Sequence, residues 1–293
     1  MTIAVTGATG PFGRHAIDSL LERGVPAGQI VALGRDQAKL DDLGRLGVTT
    51  RRADYNDPAS LRAALAGADR LLFVSGSEVG QRVPQHQAVV DAARETGVGL
   101  VVYTSAPKAD SSDMKLAEEH LATERALIAS GVPYVFLRNG WYIENYTAQL
   151  PVFLEHGLFG AAGDGLISVA TRADLAEAAA AVLVSEGDDH HHRVYELGGQ
   201  SFTLPVLAAE IARVSGRPVR YTDLSPDAYA KVLTDAGLPD PAPAILADSD
   251  RAASHGALYV EGNDLEKLLG RPVTPWAEVL RTALAELSQL GQG

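Results

Sequence analysis

Through the first half of the chain, short β-branched runs alternate with longer stretches whose apolar residues recur every three or four positions. This pattern predicts strands at 3–6, 30–33, 48–52, 71–75, 100–104 and 134–137, with helices near 12–23, 36–46, 58–66, 82–96 and 113–130 between them. In the first helix Ala16, Ile17, Leu20 and Leu21 keep one face apolar. The strand runs read as apolar on both faces, as they are in a parallel sheet covered by helices on both sides. Strand–helix alternation with right-handed crossovers gives a doubly wound sheet. After Tyr146 the rhythm breaks. Helical patterns continue at 172–186, 204–214, 225–236 and 274–288, with short strands at 193–197 and 218–222. Segment 237–247 reads as an irregular bridge, because each proline disfavours helix in the residue before it. The expected architecture is therefore α/β, a doubly wound parallel sheet with a smaller C-terminal α+β lobe. Its expected division is 1–150, rejoined by parts of 170–200, and 151–293.

The sharpest local signal is Gly7-Ala8-Thr9-Gly10-Pro11-Phe12-Gly13, directly after Thr6 at the end of the first strand and opening the first helix. Gly7 permits a tight turn, Gly10 lets the backbone approach a pyrophosphate, and Gly13 lets helix and strand pack closely. The phosphates of a dinucleotide would then sit on the free N–H groups and positive dipole end of the helix. A glycine triplet alone also fits a plain turn, but here the strand, helix and βαβ spacing surround it, so the sheet is read as Rossmann-type. At the end of the second strand an NAD site usually carries an acidic residue, whereas this chain has Leu33-Gly34-Arg35, with Lys39 a helical turn beyond. Arginine offers a planar fork to the 2′-phosphate of NADP, and NADPH is the expected cofactor. Asp36 could instead serve a ribose. Asp54 and Tyr55, after the third strand, fall where adenine contacts are made, with a loop-capping aspartate the equal alternative. Ser75-Gly76-Ser77 and Thr104-Ser105 follow the fourth and fifth strands, at the carboxyl ends where open α/β sheets bind ligands.

Composition narrows the partners. With 25 Lys+Arg against 37 Asp+Glu the net charge is −12, which argues against a nucleic-acid or anionic-membrane surface but not against one anionic cofactor in a local pocket. There is no cysteine, which excludes disulfides, thiolate nucleophiles and cysteine-ligated metal. The first residues lack the layout of a signal peptide, and the longest apolar run, 178–184, is too short to span a bilayer, so the cytoplasm is the expected compartment. A homo-oligomer is compatible with the sequence. Three features are read without function. The His190-His191-His192 tract is taken as a solvated loop, the Asp248 to Asp250 segment lacks the length and glycine of a calcium loop, and the alanines near Ala178 are a packed helix; no metal site is expected.

The blocks TGATGPFG, ADYNDPASL, SGSEVGQRVPQH, YTSA, LRNGWYIENY, AAGDGLISVATRADLA, YELGG and ADSDRAASHGALY run in order through nearly the whole chain. In these blocks the sequence resembles the NmrA-like atypical short-chain dehydrogenase/reductases, and most closely their bacterial type-2 NAD(P)H:quinone oxidoreductases. The resemblance implies an NADPH domain and a small lobe with a cleft between them. It places the nicotinamide near Arg138-Asn139-Gly140-Trp141-Tyr142 and implies two-electron reduction of a quinone, or a similar small carbonyl acceptor, without a flavin.

The chemistry agrees with that reading. Short-chain dehydrogenases ordinarily protonate a carbonyl oxygen with Tyr-x-x-x-Lys on the helix after the fifth strand, and here that helix carries no such pair. Hydride addition to a quinone gives a hydroquinone anion, a weaker base than an alkoxide, which water can protonate. His120 sits in the vacated region as a candidate proton donor, although a helix-face histidine beside Glu124 is the favoured reading. Trp141 and Tyr142 could stack on a flat acceptor or pack between the lobes, and Asn139 offers an amide in the same loop. The competing function is a redox sensor that binds NADP(H) and signals to a partner without catalysis. A sugar-nucleotide epimerase is weakened by the missing Tyr-x-x-x-Lys.

Overall fold

Ile3, Ala4 and Val5 are wholly buried and form β1 (Ile3–Val5), the centre of the main sheet in a computed structural model that describes residues 1–78 and 80–290. The chain continues through α1 (Pro11–Glu22), β2 (Ile30–Gly34), α2 (Gln37–Gly44), β3 (Thr49–Arg52), α3 (Pro58–Leu65), β4 (Arg70–Phe73), α4 (Arg82–Glu95), β5 (Leu100–Ser105), α5 (Lys115–Ser130) and β6 (Tyr134–Asn139). There follow β7 (Trp141–Tyr142), α6 (Glu144–Thr147), α7 (Leu150–His156), β8 (Leu158–Gly160), β9 (Ile167–Ala170), α8 (Arg172–Val184), β10 (Arg193–Leu197) and β11 (Gln200–Phe202). The last elements are α9 (Leu204–Ser215), β12 (Tyr221–Asp223), α10 (Pro226–Asp235), α11 (Ala242–Ser254), α12 (Asp264–Leu269) and α13 (Trp276–Leu290).

The main sheet has the order β3-β2-β1-β4-β5-β6-β10, and every neighbouring pair is parallel. Side chains alternate between its faces. Ile3 and Val5 join α1, α2 and α8 in one core, while Ala4 joins α3, α4 and α5 in another. The alanines Ala176 and Ala178 to Ala180 are wholly buried, which lets α8 lie close against α1. Strand order reverses at β1, with β2 on one side and β4 on the other, and a doubly wound sheet opens its ligand crevice at the carboxyl ends beside that point. The expected Rossmann-type sheet is thus present. It differs in one respect: β3 is an edge strand of Thr49, Thr50, Arg51 and Arg52 that is half or fully exposed, not apolar on both faces.

A second core gathers Ile143, Tyr146, Phe153, Ile167, Phe202, Leu207, Ile211 and Leu280 around two small sheets, β11-β9-β7 and β12-β8. Residues 172–184 and 193–197 return to the first core as α8 and β10. The irregular bridge expected at 237–247 is corrected, because α11 starts at Ala242 with Pro243 in its first turn, where the missing N–H has no partner to lose. Among the described residues no helix is long and apolar enough to cross a membrane.

Candidate functional site

A cleft of about 840 Å³ runs over the carboxyl ends of the sheet, from the loop after β2 to the loop after β6. Its floor is the glycine turn. Gly7 has φ +59°, which favours glycine, and a Cβ at Gly13 would stand 2.4 Å from the Gly7 carbonyl oxygen, so helix and turn touch only because the side chain is missing. Gly10 caps α1 without a side-chain bond, Pro11 opens the helix, and no acidic side chain occupies its first turn. The helix therefore offers its free N–H groups and positive end to an anion. Thr6, Gly7, Thr9, Gly10, Pro11, Phe12 and Gly13 all line the cleft, whereas Ala8 is wholly buried in the core beneath them.

Arg35 and Lys39, from the loop after β2, line the cleft together with Asp54 and Tyr55, from the loop after β3. Asp36 caps α2, its Oδ1 accepting from the Lys39 backbone N–H at 3.2 Å, and it lines the cleft as well. Asp54 accepts from the Asn56 N–H at 2.9 Å, and the Tyr55 hydroxyl donates to the Val74 carbonyl at 2.8 Å. Arg35 donates to Glu78 across the cleft at 2.7 Å. Hydrogen bonds from Gln85 and Arg35 hold the Glu78 carboxyl below its ordinary range. Neither Glu78 nor Gln85 carried a local signal, since both act across the gap between two loops.

The loop Ser75-Gly76-Ser77 is pinned from behind. The Gly76 N–H donates to His86 Nε2 at 2.9 Å, and Arg82 donates twice to the Gly76 carbonyl, at 3.0 and 2.8 Å. Arg82 is itself ion-paired with Glu119, and Ser75 donates its N–H to Thr104 Oγ1 at 2.8 Å. Thr104 is thus a brace for the loop and does not reach the cleft wall, while Ser105 lines the cleft and gives its hydroxyl to Glu124 at 2.6 Å.

At the other end, Asn139, Gly140, Trp141 and Tyr142 line the cleft with Pro107, Met114, Leu116, His120 and Arg172. Among the described residues neither polar atom of the buried Asn139 carboxamide has a hydrogen bond of good geometry, although the Tyr142 hydroxyl is close to it. A buried amide left unpaired is costly, so this group could hold a ligand that donates and accepts, as the carboxamide of a nicotinamide does. Trp141 and Tyr142 face opposite sides of a two-residue strand. Trp141 packs on the second core and Tyr142 on the first, so the pair packs between the lobes, and both residues also line the cleft. The Arg172 guanidinium lies 4.5 Å from the centre of the Tyr142 ring. Sequence reasoning missed Arg172, which comes to the site from a helix far along the chain.

Two further readings are corrected. Arg138 does not reach the cleft. Its guanidinium is buried under the loop and donates to Glu124 at 2.9 and 2.7 Å, to Asp110 at 2.9 Å and to Glu196 at 3.1 Å. His120, in turn, has no bond to Glu124, because that carboxylate faces Arg138 and Ser105. The histidine is buried and its Nδ1 meets the Tyr103 hydroxyl at 2.8 Å. In the 190–192 turn, His190 bonds the Tyr195 hydroxyl at 2.7 Å.

The cleft fits a dinucleotide with an extra phosphate: a glycine cradle in the middle, two cations at one end and an unpaired amide at the other. Comparison with known proteins points the same way. Quinone oxidoreductase 2 of Escherichia coli (strain K12) is 51% identical over 278 residues, covering 94% of this chain and 96% of that protein. The crystal structure of the Escherichia coli NADPH-dependent quinone oxidoreductase complexed with NADPH superposes with a TM-score of 0.92 at 49% identity, over 96% of this chain and 99% of that one. Triphenylmethane reductase from Citrobacter sp., complexed with NADP(H), superposes with a TM-score of 0.90 at 39% identity, over 96% of this chain and 100% of that one. The family model described as NAD(P)H-binding matches residues 7–186, the span that holds the glycine cradle, both cations and the Asn139 amide, and the chain belongs to that NAD(P)H-binding family.

Proposed function

We propose that the protein is an NADPH-dependent reductase of quinones or similar small carbonyl acceptors, working without a flavin in the cytoplasm. In this reading residues 1–150, with parts of 170–200, hold the cofactor and line the acceptor space, and the smaller lobe within 151–293 backs that space through the packing of Trp141 on the second core. One observation carries it: besides the residues that suit a dinucleotide, the cleft is lined by the apolar and aromatic side chains of Pro107, Met114, Leu116, Trp141 and Tyr142. A sensor needs only to tell two nucleotide forms apart and has no use for that lining. The likeness to quinone oxidoreductase 2 of Escherichia coli supports the same choice.

When bound, NADPH supplies a hydride. The residues here do the positioning. The N–H groups at the start of α1 would hold the pyrophosphate, Arg35 and Lys39 would take the 2′-phosphate, and Asn139 would bind the nicotinamide carboxamide. Trp141 and Tyr142 hold the acceptor flat. Positioning of this kind supplies much of the barrier reduction in a two-substrate transfer, and the hydroquinone anion takes its proton from water. The test is NADPH oxidation by the protein against a panel of quinones, aldehydes and azo dyes. Turnover with quinones is expected, and tight NADPH binding with no acceptor reduced would favour the sensor.

Two variants examine the parts. Arg35→Ala is expected to weaken NADPH roughly ten- to a hundredfold, the worth of about 1.5–3 kcal/mol in a charge-assisted hydrogen bond. NADH binding should barely change. Equal loss for both nucleotides in fluorescence titrations would rule the clamp out. Tyr142→Ala is expected to lower quinone turnover by roughly ten- to a hundredfold, the scale of a reactant misplaced by about 1 Å, with NADPH affinity retained. Tyr142→Phe keeps the ring and should stay near normal. A loss of NADPH affinity in parallel with turnover would assign the ring to the cofactor instead.

A further inference from the structure

The cleft wall holds one imidazole whose proton can be located from its neighbours. The Thr123 hydroxyl donates to the Glu119 carbonyl at 3.0 Å and so meets His86 as an acceptor. His86 Nε2 accepts the Gly76 N–H at 2.9 Å and carries no proton, which leaves the ring proton on Nδ1, directed at Thr123 Oγ1 2.8 Å away. The Tyr103 hydroxyl lies 3.5 Å from that protonated His86 Nδ1, which has no lone pair to offer, and 2.8 Å from His120 Nδ1. Thr123 also faces the Tyr103 hydroxyl but already receives the His86 Nδ1 proton, so His120 Nδ1 at 2.8 Å is the acceptor we assign to the Tyr103 proton. In a neutral imidazole one nitrogen accepts and the other donates, so His120 carries its proton on Nε2. That nitrogen has no hydrogen-bond partner among the described residues, and the side chain lines the cleft beside Ser105, Leu116 and Asn139.

We propose that His120 presents its Nε2–H to the oxygen of the acceptor as a fixed hydrogen-bond donor, and that Tyr103, Thr123 and His86 are positioning residues that hold it in that tautomer. The inference rests on the reading of the cleft as an acceptor site and adds to it the group that meets the developing charge. During reduction the acceptor gains two electrons and one hydrogen from bound NADPH, and its oxygen becomes an oxyanion. A preorganised N–H aimed at that oxygen stabilises the charge as it forms. The second hydrogen arrives as a proton from water, because loss of the Nε2 proton from a neutral ring would leave an imidazolate. Burial agrees with this division of labour. Burial, with Arg82 close by, pushes the His86 pKa down to about 3, and burial followed by Arg82 and His86 holds His120 well below its ordinary value. Both rings stay neutral at the pH of catalysis.

The test uses the full chain labelled with nitrogen-15 in its histidines and loaded with NADPH, with His120→Gln to assign the resonance. The expected spectrum shows His120 with a bare Nδ1 and a protonated Nε2, unchanged from about pH 5 to about pH 8, the span in which an ordinary histidine titrates. Tyr103→Phe keeps the ring packing and removes the hydroxyl. It should convert His120 to a mixture of tautomers and lower kcat with quinone by roughly tenfold, leaving the NADPH affinity alone. His120→Ala should lose roughly a hundredfold in kcat, the usual cost of one oxyanion donor, and His120→Gln, which restores an N–H donor, should recover part of it. A His120 protonated on Nδ1, a ring that titrates near pH 6.5, or a His120→Ala enzyme within about twofold of wild type would each overturn the proposal. Absence of quinone turnover in the wild type would count against the function proposed above, whereas the resonances of the NADPH complex decide the tautomer without any acceptor.

Discussion

Gly10→Val is expected to fold and to lose nucleotide binding by roughly two to four orders of magnitude. Gly10 has φ −92° and ψ 165°, an ordinary extended conformation, and a Cβ there would lie 3.3 Å from the Gly7 carbonyl oxygen. That contact is tight but yields with a small adjustment. The branches of the valine would then stand over the start of α1, where the phosphates approach. Two charge-assisted hydrogen bonds lost there amount to about 3–6 kcal/mol, hence the size of the effect. The same change at Gly13 would press a Cβ to 2.4 Å from backbone and damage the fold itself, so position 10 is the informative one. Thermal melting and circular dichroism establish folding, and titration with NADPH reads the loss. Wild-type affinity in a folded Gly10→Val protein would place the cofactor elsewhere.

Arg138→Met is expected to cost about 3–5 kcal/mol of folding stability, the usual loss when one partner of a buried ion pair is removed. The side chains of Arg138 and Glu124 are 7% and 3% exposed, and the two are joined by paired bonds, so removal of the arginine leaves a carboxylate with only Ser105 to solvate it. The guanidinium also binds Asp110 and Glu196, tying the loop after β5 and strand β10 to β6. On a domain stable by about 5–15 kcal/mol the change is large. A second substitution, Glu124→Leu, removes the stranded charge and should recover more than half of the loss. Urea midpoints of the single and double variants give the answer, and a loss below about 1 kcal/mol in the single variant would mean that water solvates Glu124 freely.

The first 140 residues were readable because central strands of a parallel sheet are buried on both faces and leave contiguous apolar runs between glycine turns. Only β3 broke that pattern, being an edge. Of the second lobe's strands, the sequence pattern marked β12 to within a few residues and missed the others. β7, β8 and β11 have two or three residues each and exist because distant partners pair with them, as Trp141 does with Val169. The start of α11 was hidden by prolines that read as breakers but sit where a helix tolerates them. At the site, Gly7, Gly10 and Gly13 were legible since each has a local steric task. Arg82, His86 and Glu119 were not, because each acts on a backbone group or side chain brought close only by the fold. Arg138 was misplaced for a related reason: its neighbours Asn139 and Gly140 line the cleft, but a side chain one residue earlier on a strand points to the other side.

The return of β10 to the edge of β6 has a consequence for how the two halves can be exchanged. The chain first enters the second core after β5, where Ala106, Met114 and Ala117 lie, crosses to it again between β6 and β7, comes back between β9 and α8, leaves after β10, and returns once more in α12, whose Leu265 and Leu269 sit in the first core, before α13 closes the second. Neither half is a cassette. A chimaera that borrows the second lobe of a relative needs a junction at each crossing, and a fragment cut after β6 would keep an unpaired strand edge of the kind that recruits other chains. Variation in acceptor preference is therefore open to single residues on the cleft wall, and closed to wholesale transplantation of the lobe.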